Sequence, residues 1–236
     1  MNDSTYETPL RTASLIAGIA LLGSVIAAPF AELYVMPKLV VPFKAAETAK
    51  NILENESLFT AAIFAYLFTF ICDVVIAWAL YVLLKPANRN LSLLIAWFRL
   101  VYTVIALVAL NNLVTALRLL TTPEYLTLFQ TDQLYAQAMI YLRAFKNHWY
   151  FGLLFFAIHL VLLGYLVYKS NYIPRILGIL LIITGLGYLL TTIRPFLFPS
   201  INVDFAMYTF YGELIFMLWL LIKGSRMKEV NNEVLH

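Results

Sequence analysis

Ser57–Leu84 reads SLFTAAIFAYLFTFICDVVIAWALYVLL and is followed directly by Lys85. Its only charge is Asp73, and the apolar run is continuous rather than alternating. A run of this length exceeds the roughly 20 residues needed to cross a hydrocarbon core, so it predicts a transmembrane helix. A lipid-facing β-barrel strand would instead alternate apolar and polar residues over about 10 positions. The end of the segment supports the same reading. Tyr81 precedes Lys85 by one helical turn, and the pattern returns at Tyr165-Leu-Val-Tyr-Lys169 and Trp219-Leu-Leu-Ile-Lys223. In each, the ring suits the headgroup level and the ammonium snorkels into water.

Five further stretches have the same character. Thr12–Ala31 and Ile176–Ile193 are uncharged; Leu91–Leu117 carries only Arg99, Trp149–Tyr168 only His159, and Phe205–Ile222 only Glu213. With 62% hydrophobic and 12% charged residues, the chain is far from a soluble domain, which carries about 25% charged residues. The expected fold is all-α, a polytopic bundle of six transmembrane helices forming one compact domain. The first segment is expected to remain as an anchor. Asp3 and Glu7 precede it where a signal peptide would be positive, and Pro29 follows its Ala-Ala pair. Cys72 is the sole cysteine, which excludes an intrachain disulfide.

Six spans put both termini on one side. Arg11, the turns 85–90 and 169–175, and Lys223, Arg226 and Lys228 all fall there, and neither turn holds an acid. The positive-inside rule then predicts a protein of the cell (inner or plasma) membrane with cytoplasmic termini. On the opposite side, Pro42–Glu56 spaces Val41, Ala45, Ala49, Ile52 and Leu53 as one helical face. That pattern predicts an amphipathic helix on the outer surface. Pro123–Arg143 reads as a connector with some helix, and Pro195 and Pro199 are expected to break the chain after span five.

Several stretches together resemble a known family. They are Ala31-Glu-Leu-Tyr-Val-Met-Pro, Cys72-Asp73 with its Leu-Tyr-Val-Leu-Leu-Lys-Pro exit, Trp97-Phe-Arg99, His159-Leu-Val-Leu-Leu-Gly, Ile173-Pro-Arg-Ile-Leu-Gly, and Gly212-Glu213 leading to Trp219. In these the chain resembles the bacterial domain-of-unknown-function family DUF4386. The resemblance covers nearly the whole chain. It implies a multi-span bacterial membrane protein and no particular activity.

The lysine exits also serve as a depth ruler. Asp73 lies twelve residues inside its exit, and His159 and Glu213 lie ten inside theirs. At 1.5 Å per residue this is roughly 15–18 Å, close to the middle of the core. Arg99, ten residues beyond Arg89, reaches a similar depth. A charge at mid-membrane costs about 2.5–3.5 kcal/mol on insertion scales, so these groups are expected to face inward and find partners. Spans two and three share a short turn, which makes Asp73 and Arg99 the expected pair. Glu213 either reaches the same five-donor guanidinium or stays protonated, and His159 hydrogen-bonds either acid.

Three functional readings follow from that layer. In the first, a pocket of Asp73, Arg99, His159 and Glu213 binds, or transports with protons, a small polar or amphipathic molecule. Thr184 and Tyr188 are secondary candidates at the same depth, and Asn111 and Asn112 in the outer half of span three. In the second, these groups serve an intramembrane enzyme acting on a lipid or isoprenoid. In the third, they are a buried network that fixes helix packing in a non-enzymatic scaffold. No metal or cofactor is expected. His148 and His159 are eleven residues apart, about 16 Å along a helix, and His236 is terminal. Neither a His-x-x-x-His nor a Gly-x-Ser-x-Gly pattern occurs. The expected partners are the bilayer and a small ligand, with no nucleic acid.

Overall fold

The computed structural model describes residues 8–197, 200, 202, 203, 206 and 209–226. Every regular element among them is helical. In chain order they are α1 (Leu10–Pro29), a π-helical stretch (Phe30–Val35), α2 (Met36–Leu39), α3 (Ala45–Glu54), α4 (Glu56–Leu84), α5 (Arg89–Thr121), α6 (Pro123–Leu128), α7 (Thr131–Lys169), α8 (Arg175–Leu197), α9 (Tyr211–Ile222) and a 3₁₀ turn (Gly224–Arg226).

Five helical stretches are long and apolar enough to cross a membrane: Leu10–Leu39, Glu56–Leu84, Arg89–Thr121, Thr131–Lys169 and Arg175–Arg194. They suggest a multi-pass membrane protein. Of the sixth expected span, Phe205–Ile222, the described α-helical part is the 12-residue α9. Phe210 lies in the turn before it, while Phe205 lies outside the described residues, as do Asp3, Glu7, Pro199, Lys228 and His236. Pro195 does not stop α8, which runs on to Leu197. A proline this close to a helix end forfeits one backbone bond without interrupting the rest of the ladder. The connector after α5 is more helical than expected, since α7 continues unbroken through 39 residues.

Helix α4 shows how an all-apolar segment chooses an inward face. Phe59, Ala62, Tyr66, Phe70, Asp73, Ala77, Leu80 and Leu84 recur every three or four residues and are all buried. Phe64, Phe68, Ile71, Val75 and Trp78 occupy the opposite face and are exposed. This is the pattern of a helix whose outside contacts hydrocarbon. Its backbone is satisfied within the helix, and large apolar side chains need no aqueous shield.

The chain groups into two compact units. One comprises Met1–Leu22, Asp73–Val101 and Leu153–His236, the other Gly23–Cys72 and Tyr102–Gly152. In the first, α7 and α8 meet through a reciprocal glycine contact. A β-carbon on Gly164 would stand 2.5 Å from the Gly178 carbonyl oxygen, and one on Gly178 would stand 2.5 Å from that of Gly164. Small residues of this kind let helix backbones approach closely where lipid offers no hydrophobic drive. The Ser14 hydroxyl donates to the Leu220 carbonyl at 3.1 Å, tying α1 to α9. Tyr172, in the turn before α8, donates its hydroxyl to the Leu83 carbonyl at 2.8 Å. Burial pushes that phenol above its ordinary range.

In the second unit, α3 buries Thr48, Ala49 and Ile52 and exposes Leu53. The Thr48 hydroxyl donates to the Val41 carbonyl at 3.1 Å and accepts from the Val41 N–H at 3.0 Å, closing the turn into α3. Glu47 and Glu54 pair with Lys44 and Lys50 on the solvated side.

Candidate functional site: a buried charge cluster

Arg99 sits one helical turn beyond Ile95 on the buried face of α5 and is 2% exposed. Its Nε donates to Asp73 Oδ1 at 3.0 Å, and its Nη2 donates to the same oxygen at 2.5 Å. Asp73 on α4 is 3% exposed. The antiparallel α4–α5 hairpin therefore delivers the expected pair. A sealed carboxylate and guanidinium offset one another's desolvation only with such close, charge-assisted contacts.

His159 on α7 is fully buried and fixed from both sides. Arg99 Nη1 lies 3.2 Å from Nε2, and the Ile95 carbonyl oxygen lies 2.9 Å from Nδ1. A guanidinium can only donate and a carbonyl can only accept. The ring is therefore the neutral tautomer with its proton on Nδ1: it accepts from Arg99 and donates to Ile95. Phe156, one turn earlier on α7, places its ring 5.3 Å from the guanidinium carbon and 5.8 Å from the His159 ring. Arg99 is thus held by an anion, an imidazole lone pair and an aromatic face.

Glu213 on α9 completes the four. Its Oε1 is 3.9 Å from Arg99 Nη2, an ion pair too long for a hydrogen bond. Its side chain is 19% exposed, against 3% for Arg99 and 4% for Asp73. With Glu213 ionised the cluster carries one net negative charge; with it protonated the cluster is neutral.

The secondary candidates separate. Tyr188 packs edge-on against Phe156 at 5.2 Å and stacks on Phe210 at 4.4 Å, so it borders the cluster through that ring. Thr184 lies at a helix contact, its hydroxyl shared between the Leu180 and Thr209 carbonyls at 2.9 and 2.6 Å. A β-carbon on Gly212 would meet that Leu180 carbonyl oxygen at 2.6 Å. Asn111 and Asn112 belong to the other unit. Asn112 Nδ2 donates to the Ala109 carbonyl at 2.9 Å and lies 3.3 Å from His148 Nδ1, linking α5 to α7. Asn111 is exposed. Among the described residues, no three His, Cys, Asp or Glu side chains group as metal ligands.

The sequence reading passed over a second polar contact. Tyr66 on α4, fully buried, donates its hydroxyl to Glu32 Oε2 at 2.6 Å. Glu32 stands in the π-helical stretch after Pro29. The available signal was spacing: Tyr66 precedes Asp73 by seven residues, two turns on the same face.

No solved structure matches the chain. An uncharacterized protein of Archaeoglobus fulgidus is 40% identical over 161 residues, which cover 68% of this chain and 82% of the relative. The family model described as a domain of unknown function, DUF4386, matches residues 16–224, a stretch that contains all four residues of the cluster, and the chain belongs to that family.

Proposed function

We propose that the chain is a single-domain, six-span protein of the cell membrane with cytoplasmic termini. In this reading α9 and the residues before it form the sixth span, and α3 lies on the outer surface. The cluster couples proton exchange at Glu213 to binding or transport of a small polar or amphipathic molecule. One observation carries this. Glu213 is the acid that approaches Arg99 without a hydrogen bond and keeps a partly open side chain. Asp73 and His159 occupy Arg99 and hold it in place, so proton gain or loss at Glu213 switches the net charge of a buried site. A buried ionisable group that shifts its partner's balance on protonation is a means of coupling ligand occupancy to a proton gradient.

The competing scaffold reading has its own support: Arg99 spends its donors on Asp73 and His159 and so joins α4, α5 and α7. Vesicles reconstituted with the full chain and a trapped pH-sensitive dye separate the two. A panel of small polar and amphipathic solutes is added under an imposed pH gradient. Wild type should move protons with at least one solute, and Glu213→Gln should abolish that movement while melting near the wild-type temperature. Equal proton movement in wild type and Glu213→Gln would refute the proton role. An absence of movement in wild type would leave the scaffold as the better account.

A further inference from the structure

A second site lies in the other unit and is independent of the Glu213 reading. A pocket of about 420 Å³ is lined by Glu32, Arg143, Lys146, Phe43, Phe145 and apolar side chains including Met139 and Leu142. That volume falls within the range of about 300–1,000 Å³ typical of small-molecule sites. Its charges are of both signs. Among the described residues no ion pair joins Glu32 to either cation. Glu32 gives Oε2 to the Tyr66 hydroxyl, which orients the carboxylate. Phe145, in ring contact with Tyr66 at 5.1 Å, stands in the same wall. Arg143 and Lys146 are one turn apart on α7, and the Arg143 guanidinium rides 4.8 Å over the Phe43 ring. Phe43 takes φ 64°, a left-handed conformation rare for a bulky residue, and this presents its ring to the pocket.

The oriented carboxylate of Glu32 suits an ammonium group. Neighbouring Arg and Lys suit a phosphate, which accepts several charge-assisted bonds. The methionine and leucine wall suits a hydrocarbon chain. We propose that this pocket binds a zwitterionic amphiphile, with its phosphate on Arg143 and Lys146, its ammonium on Glu32, and its upper chain on the apolar wall.

The test is calorimetric titration of the full chain in a neutral detergent. Three probes are used below their micelle-forming concentrations: dihexanoyl phosphatidylethanolamine, dihexanoyl phosphatidylglycerol, and tail-less O-phosphoethanolamine. Wild type should bind the ethanolamine lipid at least tenfold more tightly than either other probe. Arg143→Gln/Lys146→Gln, two exposed changes that leave the core intact, should lose at least tenfold in affinity. Glu32→Gln should erase the preference for ethanolamine over glycerol. Should that variant fail to fold, the ethanolamine lipid against its N-acetylated form in wild type asks the same question. Equal binding of both lipids by wild type would overturn the ammonium site. Equal binding of O-phosphoethanolamine would overturn the amphiphile, and full affinity in the double variant would overturn the phosphate site.

Discussion

The two polar regions handle charge in opposite ways. In the cluster, Arg99, Asp73 and His159 are nearly sealed and spend their bonds on one another. In the pocket, Arg143 and Lys146 are exposed, and Glu32 bonds a tyrosine rather than a cation. The difference shows that an ionisable residue in an apolar chain is not by itself a ligand site. Mutual bonding of this kind marks a joint between helices. Opposite charges kept apart across a cavity mark a place for something else. Within the cluster, Glu213 is the member that pairs with Arg99 at 3.9 Å without a hydrogen bond and keeps a partly exposed side chain.

Removing one member of the sealed region should have the largest effect. Arg99→Gln leaves Asp73 buried without its cation and should cost about 3–5 kcal/mol. Asp73→Asn/Arg99→Gln should recover much of that loss, read as melting temperature in detergent. If the single change is nearly neutral, the cluster is hydrated and the contrast between the regions fails. Close packing of α8 against α7 is tested next. Gly178→Ala places a methyl 2.5 Å from one backbone oxygen and 2.6 Å from the Tyr168 nitrogen, neither of which can swing aside. An overpacking cost of about 2–3 kcal/mol is expected from chemical denaturation. Tyr66→Phe removes a hydrogen bond to a carboxylate and should cost about 1.5–2 kcal/mol. It should also loosen Glu32, visible as faster hydrogen exchange in 30–36. Arg143→Gln should cost the least, about 0.5 kcal/mol, because its cation–π contact is exposed. A large loss there would make Arg143 a structural anchor and erase the distinction.

Much of the helical framework was legible in the residues. Long apolar runs located α4, α5 and α8 to within a few residues, α4 with its Tyr81–Lys85 exit, and the short basic turn predicted the Asp73–Arg99 pair. Three features were not legible. The α-helical part of the last apolar segment is shorter than its composition, since apolarity measures what lipid tolerates and not where backbone bonds begin. Thr184, a candidate pocket hydroxyl, donates to the Leu180 and Thr209 carbonyls. Tyr66 looked like any aromatic among many and is the partner of Glu32.

The sequence by itself determined that the chain is helical, largely apolar and built around a few buried charges, because the cost of placing Asp73, Arg99 and Glu213 in hydrocarbon leaves them few alternatives. Which face of each helix turns inward was left to the tertiary structure. In water an outward face announces itself by polarity; here Phe64, Phe68 and Trp78 face outward while Phe59, Tyr66 and Phe70 face inward, and both sets are equally apolar. Only packing against neighbouring helices distinguishes them. That same packing decided that His159 would be a fixed neutral acceptor and Glu213 the loosely held acid.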